Sequence, residues 1–597
     1  MPANRCSEEI SIKATFRSKR GSMIIPLAEV TNKIYDFIVA GGGTAGCVLA
    51  SRLSQNPNIK VLLIEAGGSA QGQQNTEVPF LGVTLPGSDL DWKFNSVPQA
   101  GLDGRSVPVA RGQVLGGTST INFFTWNRAS NALWDKWASL TGDQEWSWKH
   151  VEKYYKMTSR LVKPADGHDT TGEIIPSAHG NGPIEVSVPG FPTELDSMVV
   201  NTSKSLGGRF AYNQDINAGK TLGFGLMQSS IGHSKRSSSA TAYLAPAMNR
   251  PNLDVLINTH VTRLVRTSER HISVFRTIEV ATSASGQHYQ ITAAKEIILS
   301  AGVIGTPQIL LLSGIGPKED LDKLNIITYV DIPDVGRNLV DHPLVPNYFS
   351  VNSDKTFDAV LRDPTIFAGK LQEWASSGQG LFVDSPGNTQ GYMRLPKDAA
   401  IFERYQDPAS SPESAHTEII FVDGFGQFGE APAPETGNFM TVLTGVVSPL
   451  SRGSVTLTSS DPFDKPAIDL GLLNSEFDIF AMVQAMKDAQ SFLTAEPWSG
   501  YIKAPFGELA DATTDEAKAA YARKFGVTGN HPAGTAAMSP AHAAWGVVDS
   551  KLLLKGVEGV RVVDASVFPH TPECHIQAPV YVIAERAADL IKEKYAI

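Results

Sequence analysis

The sequence predicts an α/β fold in which a Rossmann-like nucleotide-binding region carries an inserted α+β region built on an antiparallel sheet. Three observations predict it. An apolar run, Phe37 to Ala40, leads straight into Gly41-x-Gly43-x-x-Gly46. Between residues 344 and about 520, short strand-like pieces separated by Pro/Gly loops replace the alternation of strands and helices. From Val527 the first texture returns, with Val560-Arg561-Val562-Val563-Asp564-Ala565 reading as a strand that ends on an acid and a small residue.

The first unit is the most specific. Cys47 to Leu53 has helical spacing, and a second apolar run, Val61 to Ile64, ends on Glu65, 19 positions after Gly46. Strand, tight turn, helix, strand and acid make the dinucleotide-binding fingerprint. Gly41 allows the sharp turn, Gly43 lets backbone N–H groups approach a pyrophosphate, and Gly46 lets helix and strand pack closely. The helix start offers its positive dipole end to phosphates. Glu65 can accept hydrogen bonds from ribose hydroxyls.

Further along, Arg111-Gly112-Gln113-Val114-Leu115-Gly116-Gly117-Thr118-Ser119 places adjacent glycines before hydroxyl residues. That suits a loop whose N–H groups face an anion, or a plain turn before a helix. Helical segments are expected over Trp134 to Leu140 and Trp148 to Met157. Strands are expected over Leu253 to Ile257, Thr259 to Val265 and Lys295 to Gly302, and a helix over Thr306 to Leu312. In the inserted region, strands are expected at Glu418 to Val422, Phe439 to Val446 and Gly453 to Leu457, then a helix from Asp478 to Thr494. A closing helix begins near Pro579. The implied division is a flexible extension over 1–32, a nucleotide-binding region over 33–343 with substrate-side segments within 127–250, an inserted region over 344–520, and a return over 521–597.

Composition narrows the class. At 597 residues the chain exceeds one core, and 42% hydrophobic with 19% charged residues excludes general disorder. A net charge of −10 without a basic stripe argues against nucleic acid as a partner. The three cysteines, Cys6, Cys47 and Cys574, form neither a disulfide framework nor a ligand cluster, and no metal is expected. No apolar run reaches the roughly 18 residues of a membrane span. The first thirty residues lack an apolar h-region, so an intracellular location is expected.

Five motifs then stand in order: Gly41 to Gly46 with Glu65; Arg111-Gly112 to Asn122; Gly302 to Gly316; Gly336-x-Asn338-x-x-Asp341-His342-Pro343; and Asn530-His531-Pro532-x-Gly534-Thr535 with Val563-Asp564-Ala565-Ser566. From about Ile34 to the C-terminus, the chain resembles the glucose–methanol–choline (GMC) oxidoreductases, which hold FAD in a two-domain fold. It is similar to fungal members such as formate oxidase and aryl-alcohol oxidase. The resemblance implies that Thr44, Ala45, Glu65 and Ala66 line the AMP half of FAD, with Gly41, Gly43 and Gly46 in the cofactor-binding turn. It likewise implies that Val261 meets adenine through its backbone, and that Arg111, Gly117 and Asp564 are part of the cofactor site. Trp92, Asn122, Phe123, Ala565, Ile576 and Gln577 would lie at the flavin end. Ile121 stands where some relatives carry a covalently attached His, so non-covalent FAD is expected.

Alcohol oxidation removes a hydroxyl proton and a hydride from one carbon, and neutral imidazole suits the proton. By the same resemblance, His531 is the expected general base and His575 its hydrogen-bonding partner. His342 is expected to be structural. The substrate would be a primary alcohol, with oxygen or another acceptor taking the electrons. Phe123, Phe124 and Trp126 favour flat apolar alcohols, or else simply pack in the core. Formate oxidase looks to carry Arg where His575 stands, and imidazole is a weaker carboxylate partner than a guanidinium fork, so formate is expected to be a poor substrate. Formate oxidation, a cyanohydrin lyase retaining FAD and a flavin-bearing binding protein are the competing readings. A hydrolytic triad has no support, because Ser313 lies outside a GxSxG elbow.

Overall fold

The computed structural model describes residues 24–597 except Asn32, Glu269, Arg270, His271 and Glu430. The elements that position the site run, in chain order, β1 (Tyr35–Ala40), α1 (Thr44–Leu53), β2 (Val61–Ile64) and β3 (Gly223–Leu226). Then come β4 (Leu253–Leu256), β5 (His260–Ser268), β6 (Ser273–Ala281), β7 (Tyr289–Leu299) and α2 (Gly302–Leu312). The second region contributes β8 (Pro343–Val351), β9 (Gly387–Met393), β10 (Thr417–Val422), β11 (Phe439–Val446), α3 (Glu476–Phe492) and β12 (Ile502–Pro505). The chain closes with β13 (Val527–Thr528), β14 (Val560–Val562) and α4 (Gln577–Tyr595).

The first sheet has the order β4-β2-β1-β7-β6-β5. Its β4, β2, β1 and β7 run parallel, and β14 adds to β7 in parallel with Ile297 opposite Val560. Every residue of β2 is buried, as expected for a parallel strand covered on both faces. The arriving β14 is clamped by Arg561 to Glu296 (2.9 Å), both almost wholly buried, with Lys594 of α4 on the same carboxylate (2.7 Å). α1 lies against α4, where Arg52 meets the buried Glu585 at 2.7 Å. A Cβ on Gly46 would collide with the carbonyl oxygen of Gly41, so only glycine lets this helix seat on its turn.

The second sheet is antiparallel, in the order β12-β8-β11-β10-β9-β3, with β13 also pairing β8. Side chains of β10 alternate. Ile419 and Phe421 enter the core that includes α3 residues, whereas Ile420 and Val422 line a large cavity. Glu418 shares the face of Ile420 and Val422. The α/β architecture with an antiparallel second sheet is therefore as the sequence predicts. The extension expected over 1–32 is described only from residue 24. Residues 1–23 lie outside the described residues, but Ile25 donates its N–H to Val255 of β4 at 3.0 Å, and Ile25 and Val30 are buried in the main core. Their apolar side chains hold that stretch against the sheet.

Candidate functional site

A cavity of about 1310 Å³ opens at the carboxyl ends of the first sheet and continues under the second. Ala40, Ile64 and Ser300 mark the ends of β1, β2 and β7 on its wall. That is where ligands bind in open α/β sheets. Its volume exceeds the roughly 300–1,000 Å³ usual for small-molecule pockets, leaving room for a dinucleotide and a substrate chamber.

The end near β1 is built from backbone. Gly41 has φ +106° and a Cβ there would strike the Ser300 carbonyl, so the turn requires glycine. A Cβ on Gly43 would meet nothing nearer than the Cα of Gly117, 3.8 Å away. The two glycine loops, far apart in sequence, therefore face each other, joined by the Gly116 N–H on the Gly42 carbonyl (2.7 Å). α1 begins at Gly43 with no side-chain cap, and Thr44 and Ala45 line the cavity, so its first N–H groups remain available to an anion. Glu65 is buried and accepts the N–H groups of Gly42 and Gly67, each at 2.8 Å; burial nevertheless pushes its carboxyl up to about 7. Each oxygen keeps a lone pair for a hydroxyl donor. The buried Ser300 hydroxyl, also on the wall, has no hydrogen-bond partner among the described residues. These features fit a dinucleotide.

The other end is built from side chains. His531 and His575 lie with ring centroids 4.5 Å apart and planes at 74°, both on the cavity wall. His531 follows Asn530, a left-handed residue (φ +56°) pinned by the Ala110 N–H (2.9 Å) and by Arg111 on its carbonyl. Asp341 accepts the His531 N–H (2.9 Å) and the Thr528 hydroxyl. His575 ends the loop that feeds α4, and its Nε2 reaches Glu418 Oε1 of β10 at 2.9 Å. Burial raises the Glu418 carboxyl, but His575, Tyr392 and His342 outweigh this and hold it below its ordinary value. Burial, then the neighbouring His575, His342 and Arg111, holds the His531 imidazole well below its ordinary value. His531 is therefore held in its neutral form, with one ring nitrogen unprotonated.

Of the residues singled out in the sequence, all the catalytic and cofactor candidates except Gly46 line this one cavity. Gly46 serves helix packing instead. Asn122 Nδ2 donates to Gln577 Oε1 (2.9 Å), which ties the second glycine motif to the start of α4. Asp564 lines the wall but fastens structure, accepting from Gly302 N, Thr306 Oγ1 and Ser566 N at 2.6–2.9 Å. Trp92 lines the cavity, its ring edge-on to His260 (5.7 Å) and stacked with Phe94 (5.6 Å). Trp126 is buried against Tyr581 and does not reach the cavity; Phe124 does, backed by Arg236 at 3.7 Å.

Sequence reasoning missed three features. His342 Nδ1 lies 3.1 Å from His531 Nδ1, so the histidine assigned to structure touches the candidate base. Glu418 was visible as the one acid in the apolar run Thr417 to Val422, a position that demands a buried partner. The aromatic wall of Phe357, Phe425 and Phe428 gave no spacing signal, because it comes from loops.

Comparison with known proteins agrees with this geometry. Two family models, both described as GMC oxidoreductase, match residues 35–344 and 449–584. Pyranose dehydrogenase 3 of Leucoagaricus meleagris is 37% identical over 94% of this chain and 93% of its own. A variant of Aspergillus oryzae formate oxidase superposes with a TM-score of 0.87 at 30% identity, covering 95% of this chain and 99% of its own. A fungal aryl-alcohol oxidase superposes at 0.79 with 26% identity, covering 94% and 100%.

Proposed function

The chain belongs to the GMC oxidoreductase family, whose members bind FAD, and on that premise we propose that it oxidises a primary alcohol to the aldehyde with His531 as general base. The observation that carries the proposal is the His531–His575 pair, 4.5 Å apart on the same cavity as the Gly41–Gly46 turn. FAD would be held, without a covalent bond, along Gly41 to Ala45, Glu65 and Gly117, and would supply the hydride acceptor.

The protein's own part is proton transfer and aim. His531 Nδ1 is occupied by His342, which leaves Nε2 to take the hydroxyl proton. His575, oriented through Nε2 by Glu418, would hydrogen-bond the same hydroxyl and fix the orientation of the substrate. His575 offers no guanidinium fork for a carboxylate, so formate is a poor substrate.

The chamber favours flat apolar alcohols over sugars. The side chains that β10, β11 and residues 425–429 present to it are hydrocarbon, Gln427 excepted, and Phe123 and Phe357 face the same space. A pyranose would need several fixed polar partners there. The test is anaerobic flavin reduction with benzyl-type alcohols, pyranoses and formate. Benzyl-type alcohols reduce fastest under this reading; fastest reduction by formate or a pyranose overturns the substrate assignment, and turnover without bleaching the flavin overturns the reaction.

A further inference from the structure

His342 carries a role beyond support. It is fully buried, and its two ring nitrogens both have partners: Nδ1 meets His531 Nδ1 at 3.1 Å, and Nε2 meets Thr571 Oγ1 at 3.3 Å. The rings stand 5.2 Å apart at 80°. Asp341 accepts the main-chain N–H of both residues, at 2.8 Å from His342 and 2.9 Å from His531, so one carboxylate seats the two imidazoles together. Gly529 leaves room for the pair, since a Cβ there would stand 3.3 Å from His531 Nδ1.

Two nitrogens facing at that distance share one proton. Were it to belong to His342, His531 would carry its own proton on Nε2 and could not act as a base there. With His531 as donor, Nε2 is free, and His342 keeps its proton on Nε2 for the Thr571 oxygen.

The surrounding charges differ between the two rings. Burial is the first influence against charge on either ring; beyond it, the groups acting on His531 are His575, His342 and Arg111, all cationic when charged. Beyond burial, His342 is opposed by His575 but faces the buried carboxylates of Glu418 and Glu573. Each of those carboxylates keeps one buried oxygen without a hydrogen-bond partner among the described residues. A positive charge is better accommodated on His342 than on His531.

Resting on the reading of His531 as base, we propose that His342 fixes the tautomer of His531 and accepts its proton as the substrate is deprotonated. The substrate O–H bond breaks as an N–H bond forms at His531 Nε2, while the His531 Nδ1 proton passes to His342 Nδ1. One proton enters the pair, no electrons move between the rings, and the charge ends as an imidazolium on His342, donating from Nε2 to Thr571. His342 is thus a positioning residue that acts through His531.

The test uses the holoenzyme. His342→Asn keeps a carbonyl acceptor for the Nδ1 proton but cannot take it up. Reduction of flavin by a saturating alcohol should fall about 10- to 100-fold, short of the roughly 10²–10⁴ expected for loss of a general base. The proton inventory in mixtures of light and heavy water should be bowed in the wild type and straight in the variant. Substrate Kd and flavin content should stay unchanged. Independently of turnover, nitrogen-15 spectra of histidine-labelled protein should show His531 protonated on Nδ1. Thr571→Val, which leaves both rings in place, should slow reduction by a smaller factor with the same change in inventory. Wild-type rates and inventories in both variants, or a proton on His531 Nε2, overturn the proposal. Unchanged reduction in His531→Ala would instead overturn the base assignment on which it rests.

Discussion

The two ends of the cavity are made by different means. Around Gly41, Gly43 and Gly117 the wall is backbone: turns, an uncapped helix start and glycines that permit close approach. Around His531 and His575 it is side chain, assembled from four separate stretches that bring Asp341-His342, Glu418, His531 and His575 together. A backbone wall is set by local spacing and tolerates only small residues. A side-chain wall depends on long-range register, and it can change its chemistry one residue at a time.

Substitutions at the two ends should therefore fail differently. The largest effect is expected from His531→Ala: flavin reduction drops roughly 10²–10⁴-fold while the visible flavin spectrum persists, as read by anaerobic stopped flow. Next comes the acid response. Burial lowers the His342 imidazole to about 4, although Glu418 and Glu573 oppose this. The unfolded chain then binds more protons than the folded one between about pH 6.5 and 4, so stability present above that window is lost as pH falls through it. Relative to His342→Asn, the wild type should lose about 3 kcal/mol between pH 7 and 4 in denaturant titrations. The comparison with a variant is needed because Glu65, raised to about 7, shifts stability the other way.

The glycines sharpen the contrast at the other end. Gly41→Ala, strained at φ +106° and in collision with Ser300, should lower Tm and yield largely colourless protein. Gly43→Ala, with open space around its new methyl group, should leave the apoprotein's Tm unchanged and lower flavin content alone. Equal losses of Tm would show that the nucleotide end is not the separable backbone cradle described. The smallest effect is expected from Glu418→Gln, which keeps a hydrogen bond to His575 but removes the charge. Reduction should slow about tenfold with flavin content unchanged.

How much of this was legible in the sequence follows the same division. The β1-α1-β2 unit and Glu65 were readable because strand period, glycine spacing and the terminal acid all sit within about thirty residues. The histidine pair was readable only through motifs whose partners lie elsewhere. Glu418 approaches His575 from another sheet, and nothing local to either residue reports that distance. His342 was assigned to structure because its motif lies nearly two hundred positions before His531, and the Asp341 bridge between them exists only in the folded chain. The ring direction of Trp92 follows packing against Phe94 and His260, which no periodicity specifies.

The lateness of β14 has a consequence for synthesis. Until residues 560–562 emerge, the carboxyl-terminal half of β7 lacks a neighbour on one side. A nascent chain therefore exposes an apolar strand edge, Ile297 to Leu299, for almost the whole of its second half. Sticky encounters between ribosome-bound copies are favoured during that interval, and chaperone demand should end only when the last segment is released and docks.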